Sequence, residues 1–269
     1  MSPANGGLSF RKRVTIAVLA GVPGIVALVG YILLTTPLSA VPSGLSLPLL
    51  AVLSGLNPLV LLVVACLLGA YAAPRVGLRS HVLDRGEGGD GAWRAVRSEV
   101  RLAAVLGALS GVAILLLDAA LAPFVATDLS QSAVGAGGAT AFDVLVYAPV
   151  RFLYGGVTEE LLVRFGLMSV VALVGWAVTG RRDGGPGAGV MWVAIGVSAV
   201  LFGVGHLPAL AQAVGLTPSL VVRTILLNAV AGGVFGWLYW RRSLEAAMIA
   251  HAAFHLPLVA LSLGQVALA

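Results

Sequence analysis

Long apolar runs separated by short polar breaks dominate the 269-residue chain. They lie at roughly 14–34, 48–72, 102–126, 142–179, 190–207, 219–240 and 244–265. Each reaches the ~17–25 residues that a helix needs to cross a bilayer, or exceeds them. Lipid offers no partner to an open backbone, so such runs are read as helices. The alternating ten-residue segments of an outer-membrane barrel are absent from the sequence. The pattern predicts an all-α polytopic membrane protein with seven to eight transmembrane helices. The 142–179 run is too long for one perpendicular span at ~1.5 Å per residue. Gly155-Gly156 followed by Thr158 predicts a helix break and a new N-cap, with Glu159 and Glu160 in the next first turn. A half-helix leading into a full span fits this stretch, and so do two spans.

Charge changes the picture by choosing a topology. Arg11, Lys12 and Arg13 precede the first run, and six arginines lie in 73–101. Arg181-Arg182 follow the long run, and Arg241-Arg242 follow 219–240. The breaks at 35–47, 127–141 and 208–218 hold no Lys or Arg. Counting 142–179 as one crossing puts every cationic cluster on one side. The amino terminus is then expected in the cytoplasm and the carboxyl terminus outside. Eight crossings break that alternation. The Arg11–Arg13 cluster before an apolar run also resembles a signal peptide. The run is longer than a usual h-region and no convincing small-x-small site follows, so a retained first span is expected.

Composition agrees. The chain is 59% hydrophobic and 10% charged, against about 25% charged in soluble domains. The net charge of +5 sits in short loops between apolar runs, which suits orientation in an anionic bilayer rather than nucleic acid. Cys66 is the single cysteine, so neither a disulfide within the chain nor a thiolate metal site is available. DRGEGGDG at 84–91 and DGGPGAG at 183–189 read as flexible polar turns. With no strong repeat and no soluble segment, residues 1–269 read as one integral membrane domain. Residues 1–141 supply amino-terminal helices and 142–265 a motif-bearing core.

Ionisable residues at membrane depth are costly and mark function. Here they are Glu159, Glu160, Arg164, His206, His251 and His255, joined by Asn228 and, more marginally, Asp118, Arg151 and Arg223. Glu160 and Arg164 are i,i+4 neighbours able to pair, which leaves Glu159 about 100° away on the helix. His251 and His255 stack on one face. Phe202 and His206 are likewise spaced, just before Pro208. Asn228, Gly232 and Gly236 share a face on which a neighbour can pack closely. Asp118 and Arg223, each isolated or near a span end, read as structural, and Trp237, Tyr239 and Trp240 as an interfacial belt. A carboxylate in an apolar site is an effective general base for water. Imidazoles can share its proton, bind a divalent metal or donate to a developing oxyanion. Together these groups suit amide hydrolysis.

Glu159-Glu160-x-x-x-Arg164, Phe202-x-x-x-His206 and His251-x-x-x-His255 resemble, in order, the EExxxR, FxxxH and HxxxN motifs of the CPBP intramembrane proteases. That family comprises CAAX-prenyl endopeptidases and bacterial bacteriocin-processing and self-immunity relatives. The resemblance covers about 142–260. It implies some eight helices around a membrane-embedded polar cavity, and a membrane-associated peptide or protein substrate, prenylated where the cleavage is of the CAAX type. It assigns water activation to Glu159 and His206, and oxyanion stabilisation to His251 and His255. The chain departs from the pattern at His255, where the family has Asn. Glu160, Arg164 and Asn228 are supporting residues. Metal dependence stays open, with Glu159, His206 and His251 as a candidate ligand set for a divalent metal such as zinc.

Two other classes compete: a proton-coupled transporter relaying protons through the same residues, and a non-catalytic immunity or scaffold protein. The halves show none of the paired helix breaks of repeat-built transporters. One tension remains. His206 falls near the outer end of its run and His251 near the cytoplasmic third of its own, so the 190–207 helix must be shifted or tilted.

Overall fold

The computed structural model describes residues 8–84, 90–130, 140–180 and 183–268. Among them there is no strand, and seven stretches are long and apolar enough to cross a membrane. The first three spans lie in α1 (Phe10–Thr35), α2 (Leu47–Ala72) and α3 (Asp90–Ser130), the third crossing stretch being Gly91–Ala126. The fourth, Ala141–Val178, is one continuous helix. It opens with α4 (Ala141–Pro149), runs through π-helical Val150–Glu159 and Leu161–Met168, and closes with α5 (Ser169–Val178). Then come α6 (Ala188–Gly205), the short α7 (Leu207–Ala213), α8 (Pro218–Arg241) and α9 (Leu244–Leu268).

The helix starts follow local chemistry. Ser9, Ser46, Thr140 and Thr217 each accept a backbone N–H of the first turn through the side-chain oxygen. Thr140 and Asp143 close a full capping box. The outer surface carries Leu, Val and Phe such as Leu116, Phe124 and Val178, a face suited to hydrocarbon. Inside, small residues let backbones approach, because lipid supplies no hydrophobic drive between helices. α3 lies along α9, α6 along α8, and α1 against α2 and the first π-helical segment.

The fourth span departs from expectation at Gly155-Gly156. The helix does not break there, and Thr158 is not an N-cap. The Thr158 hydroxyl is buried and donates to the Gly21 carbonyl of α1 at 2.7 Å. The glycines serve close approach instead. A Cβ on Gly156 would meet Ala252 of α9 at 3.1 Å. Across the span, a Cβ on Gly24 of α1 would meet the Tyr154 Cα at 2.6 Å.

Helix ends gather in two places. Arg13 pairs with Asp84 at 3.1 Å, the Arg79 Nε donates to the Arg242 carbonyl at 2.8 Å, and the Ser80 hydroxyl donates to Glu245 at 2.6 Å. The cationic start of α1, the segment after α2 and the α8–α9 junction therefore meet at one end, as the charge pattern requires. Arg85, Arg181 and Arg182, and most of the 84–91 turn, fall outside the described residues. The second Gly-rich stretch is a turn as expected, with Gly184 and Gly185 both at φ +90° before α6 begins. Elsewhere, Asp128 near the end of α3 accepts from Thr217 and Ser219 at the start of α8. Asp118 and Arg223 are not isolated: they form an ion pair of 2.5 Å between α3 and α8. Tyr239 does not join an aromatic belt. It is 1% exposed, with its hydroxyl 3.3 Å from that of Ser169.

Candidate active site

The π-helical geometry of the fourth span sets up the site. Its turn (i→i+5) holds more residues than the ~3.6 of an α-turn, so adjacent side chains diverge by less than about 100°. Glu159 and Glu160 can then address a single partner. His251 of α9 has its Nδ1 at 2.8 Å from Glu160 Oε1 and its Nε2 at 3.8 Å from Glu159 Oε2. The two carboxylates nevertheless sit in different surroundings. Glu160 is fully buried, while the Glu159 side chain is 18% exposed and lines a cavity.

Arg164 answers the buried charge. Its Nη1 lies 3.1 Å from Glu160 Oε1, and its Nη2 donates to the Gly232 carbonyl of α8 at 3.1 Å. Gly232 is small because that guanidinium needs the room: a Cβ there would lie 2.9 Å from Nη2. The rings of Phe202 and Phe235 lie 4.9 and 5.3 Å from the guanidinium carbon. Removing one partner from a buried pair costs far more than the pair itself contributes. The unit therefore fixes the helix and, through Glu160, the orientation of His251.

The cavity, of about 210 Å³, is lined by Glu159, His206, Asn228, His251 and His255 together with Arg151. The sequence-derived site is thus assembled around one space, and the tension over His206 disappears. α6 ends at Gly205, the chain turns at His206, and α7 begins at Leu207 with Pro208 in its first turn. Phe202 stands edge-on to His206 at 4.7 Å and to His251 at 5.9 Å between centroids. His206 Nδ1 lies 2.9 Å from the Phe202 carbonyl. A carbonyl only accepts, so that nitrogen carries the proton, and a neutral ring has a bare Nε2.

His255 stacks on His251 at 5.2 Å and 27°, and both of its ring nitrogens are buried without a hydrogen-bond partner among the described residues. Gly155 is what admits it: a Cβ there would sit 2.9 Å from His255 Nε2 and 3.6 Å from His251 Nε2. Asn228 spends its amide N–H on the Thr224 carbonyl at 2.8 Å, leaving its oxygen as an acceptor beside the cavity. Sequence reasoning undervalued Arg151, which also lines the cavity. The signal was available, since Arg151 is eight residues before Glu159 on the same helix.

Among the described residues no three His, Cys, Asp or Glu side chains converge to hold a metal ion. Glu159 and His251 approach one another, but His206 does not complete a ligand set with them. The expected zinc set of Glu159, His206 and His251 is therefore not preassembled among the described residues.

Residues 141–256 match the family model described as Type II CAAX prenyl endopeptidase Rce1-like. That segment belongs to the CPBP family. The CPBP match spans all three motifs, from the start of α4 to the residue after His255. No curated protein and no solved structure matches the chain. The CPBP assignment and the seven spans make this a multi-pass membrane protein related to proteases of the CAAX type.

Proposed function

We propose that the protein is an intramembrane endopeptidase that hydrolyses a peptide bond near the end of a membrane-associated, prenylated peptide or protein. The observation that carries this is the single cavity in which Glu159, His206, His251 and His255 from three spans face one another. Glu159, the carboxylate open to the cavity, takes a proton from water. His206, its Nδ1–H held by the Phe202 carbonyl, offers Nε2 as a second acceptor to the same water. The resulting hydroxide attacks the scissile carbonyl. His251, when it carries both protons, donates from Nδ1 to Glu160 and turns Nε2–H toward the developing oxyanion. His255, with no competing partner, donates a second hydrogen bond in place of the family's asparagine amide. As the C–N bond breaks, Glu159 returns its proton to the leaving amine. Water is consumed, and an acid and an amine are formed.

Every atom in this cycle comes from the chain, the substrate or water. The cationic helix ends support an orientation with that end, and the amino terminus, in the cytoplasm. The one-domain arrangement, with 1–141 as scaffold and 142–265 as catalytic core, belongs to the same proposal.

The test is cleavage of a farnesylated peptide by the full chain in proteoliposomes. Glu159→Gln is expected to lower kcat about 10²–10⁴-fold, the usual worth of a general base. His206→Ala is expected to lower it less, with both variants keeping the wild-type unfolding profile. Undiminished turnover in Glu159→Gln, or no turnover by the wild type on any membrane-anchored peptide, overturns the reading.

A further inference from the structure

The cavity holds a cation for which the hydrolytic cycle has no use. Arg151 lines it, with its Nε buried and without a hydrogen-bond partner among the described residues. Its guanidinium carbon lies 5.3 Å from the Tyr147 ring centroid. Arg164, by contrast, has a carboxylate, a carbonyl and two rings around it. A guanidinium at membrane depth, facing a cavity rather than a neighbouring acid, is costly unless an anion visits it. Its planar fork matches a carboxylate.

Placement says where that carboxylate belongs. Tyr147, Arg151, Gly155 and Glu159 recur every fourth residue, and all four line the cavity. Arg151 and Glu159 therefore mark two levels of one stripe, roughly 10 Å apart along the axis at up to ~1.5 Å per residue. An extended peptide covers that distance in about three residues at ~3.3 Å each. A substrate whose scissile carbonyl sits at Glu159 thus brings a carboxyl group some three residues farther on to Arg151.

We propose that Arg151 is a specificity residue that binds the terminal α-carboxylate of the peptide fragment released by cleavage. This rests on the proposed peptidase reading and deepens it. Gly155, one turn from each residue, brings His255 against the stripe between the two levels, where a Cβ would sit 2.9 Å from its Nε2.

The experiment pairs farnesylated peptides that differ only at the end: a free α-carboxylate, a carboxamide, and a carboxamide carrying a terminal Glu side chain. Binding to the full-length Glu159→Gln chain in nanodiscs is read alongside kcat/KM of the active chain. The free acid is expected to be preferred about 10- to 100-fold over the amide, the range of a charge-assisted hydrogen bond. Arg151→Gln is expected to erase the preference while leaving the amide's constants near wild type, and Arg151→Lys to restore part of it. A loosened fold lowers both peptides alike, so the ratio separates recognition from structure. A preference that survives in Arg151→Gln overturns the assignment and leaves the peptidase reading standing. An amide with terminal Glu performing as well as the free acid overturns the α-carboxylate and leaves a side-chain carboxylate as the ligand. Failure of every peptide both to bind and to be cleaved overturns the two readings together.

Discussion

Two polar clusters, one around Glu160 within the spans and one around Glu245 at the helix ends, use carboxylates in opposite ways. Glu245 accepts from the Ser80 hydroxyl and from the backbone N–H groups of His81 and Val82 at 2.6–3.0 Å. Glu99 accepts from the Ser243 hydroxyl at 2.5 Å, and Ser243 in turn caps the N–H of Ala246. Nearly every donor there is matched, and the result ties the segment after α2 to the start of α9. His81 is the loose member: its Nε2 is 3.3 Å from Glu99 but off the hydrogen-bonding direction. Inside the spans, Glu160 Oε2, Arg164 Nε, Arg151 Nε and both nitrogens of His255 have no hydrogen-bond partner among the described residues. Burying unmatched polar atoms costs stability, so the cluster that keeps several of them is the one to which the proposed peptidase reading assigns the substrate.

The comparison breaks first at Arg164. Arg164→Met leaves the Glu160 charge buried against His251 alone, and the expected loss of stability is about 3–5 kcal/mol. Glu245→Gln keeps an acceptor in a partly wet site, and the expected loss is about 1–2 kcal/mol. Unfolding of the two variants from matched detergent–lipid mixtures measures the order. If Glu245→Gln proves the more damaging, the buried pair is not what fixes the catalytic helix.

Gly155→Ala sharpens it next. The new methyl must push His255 or His251 aside, since its nearest neighbour lies at 2.9 Å. Alanine is intrinsically better than glycine in a helix by about 0.5–1 kcal/mol, so the fold is expected to persist. Turnover is expected to fall about 10- to 100-fold, the scale set by displacing a catalytic group by up to an ångström. Wild-type turnover in Gly155→Ala would mean that His255 has freedom the packed cavity does not suggest.

These residues also mark how far the letters could be read. The seven spans and the sidedness of the described cationic ends were legible because each is a property of a local run. The Glu160–Arg164 pair was legible because i,i+4 neighbours meet on any helix. Gly155-Gly156 misled because glycine in sequence signals a break, whereas here it signals the approach of α9. Thr158 has the chemistry of a cap, but its acceptor, Gly21, is 137 residues away in sequence. Asp118 and Arg223 looked solitary for the same reason, being 105 residues apart. Pairings between helices depend on packing that no single run encodes.

The smallest expected effect lies far from the cavity, at Asp128. Hydrogen bonds from Ser219 first and Thr217 second hold its carboxyl below the ordinary value of 3.8. A carboxyl depressed in the folded protein adds stability that is present above its unfolded value and is lost as pH falls through the folded one. Asp128→Asn keeps an acceptor but not the charge, and so imitates the acid form at every pH. The wild type is therefore expected to unfold at a slightly higher temperature than Asp128→Asn at pH 7. The gap should close as pH drops below the usual carboxylate range. Thermal scans of both proteins in nanodiscs across that range measure it. A gap that widens on acidification would mean that the α3–α8 tie is held by something other than this carboxylate. Because Asp128 lies outside the span while Glu159 lies within the cavity, the variant should leave peptide turnover at pH 7 unchanged, which separates a latch at a helix end from the chemistry in the membrane.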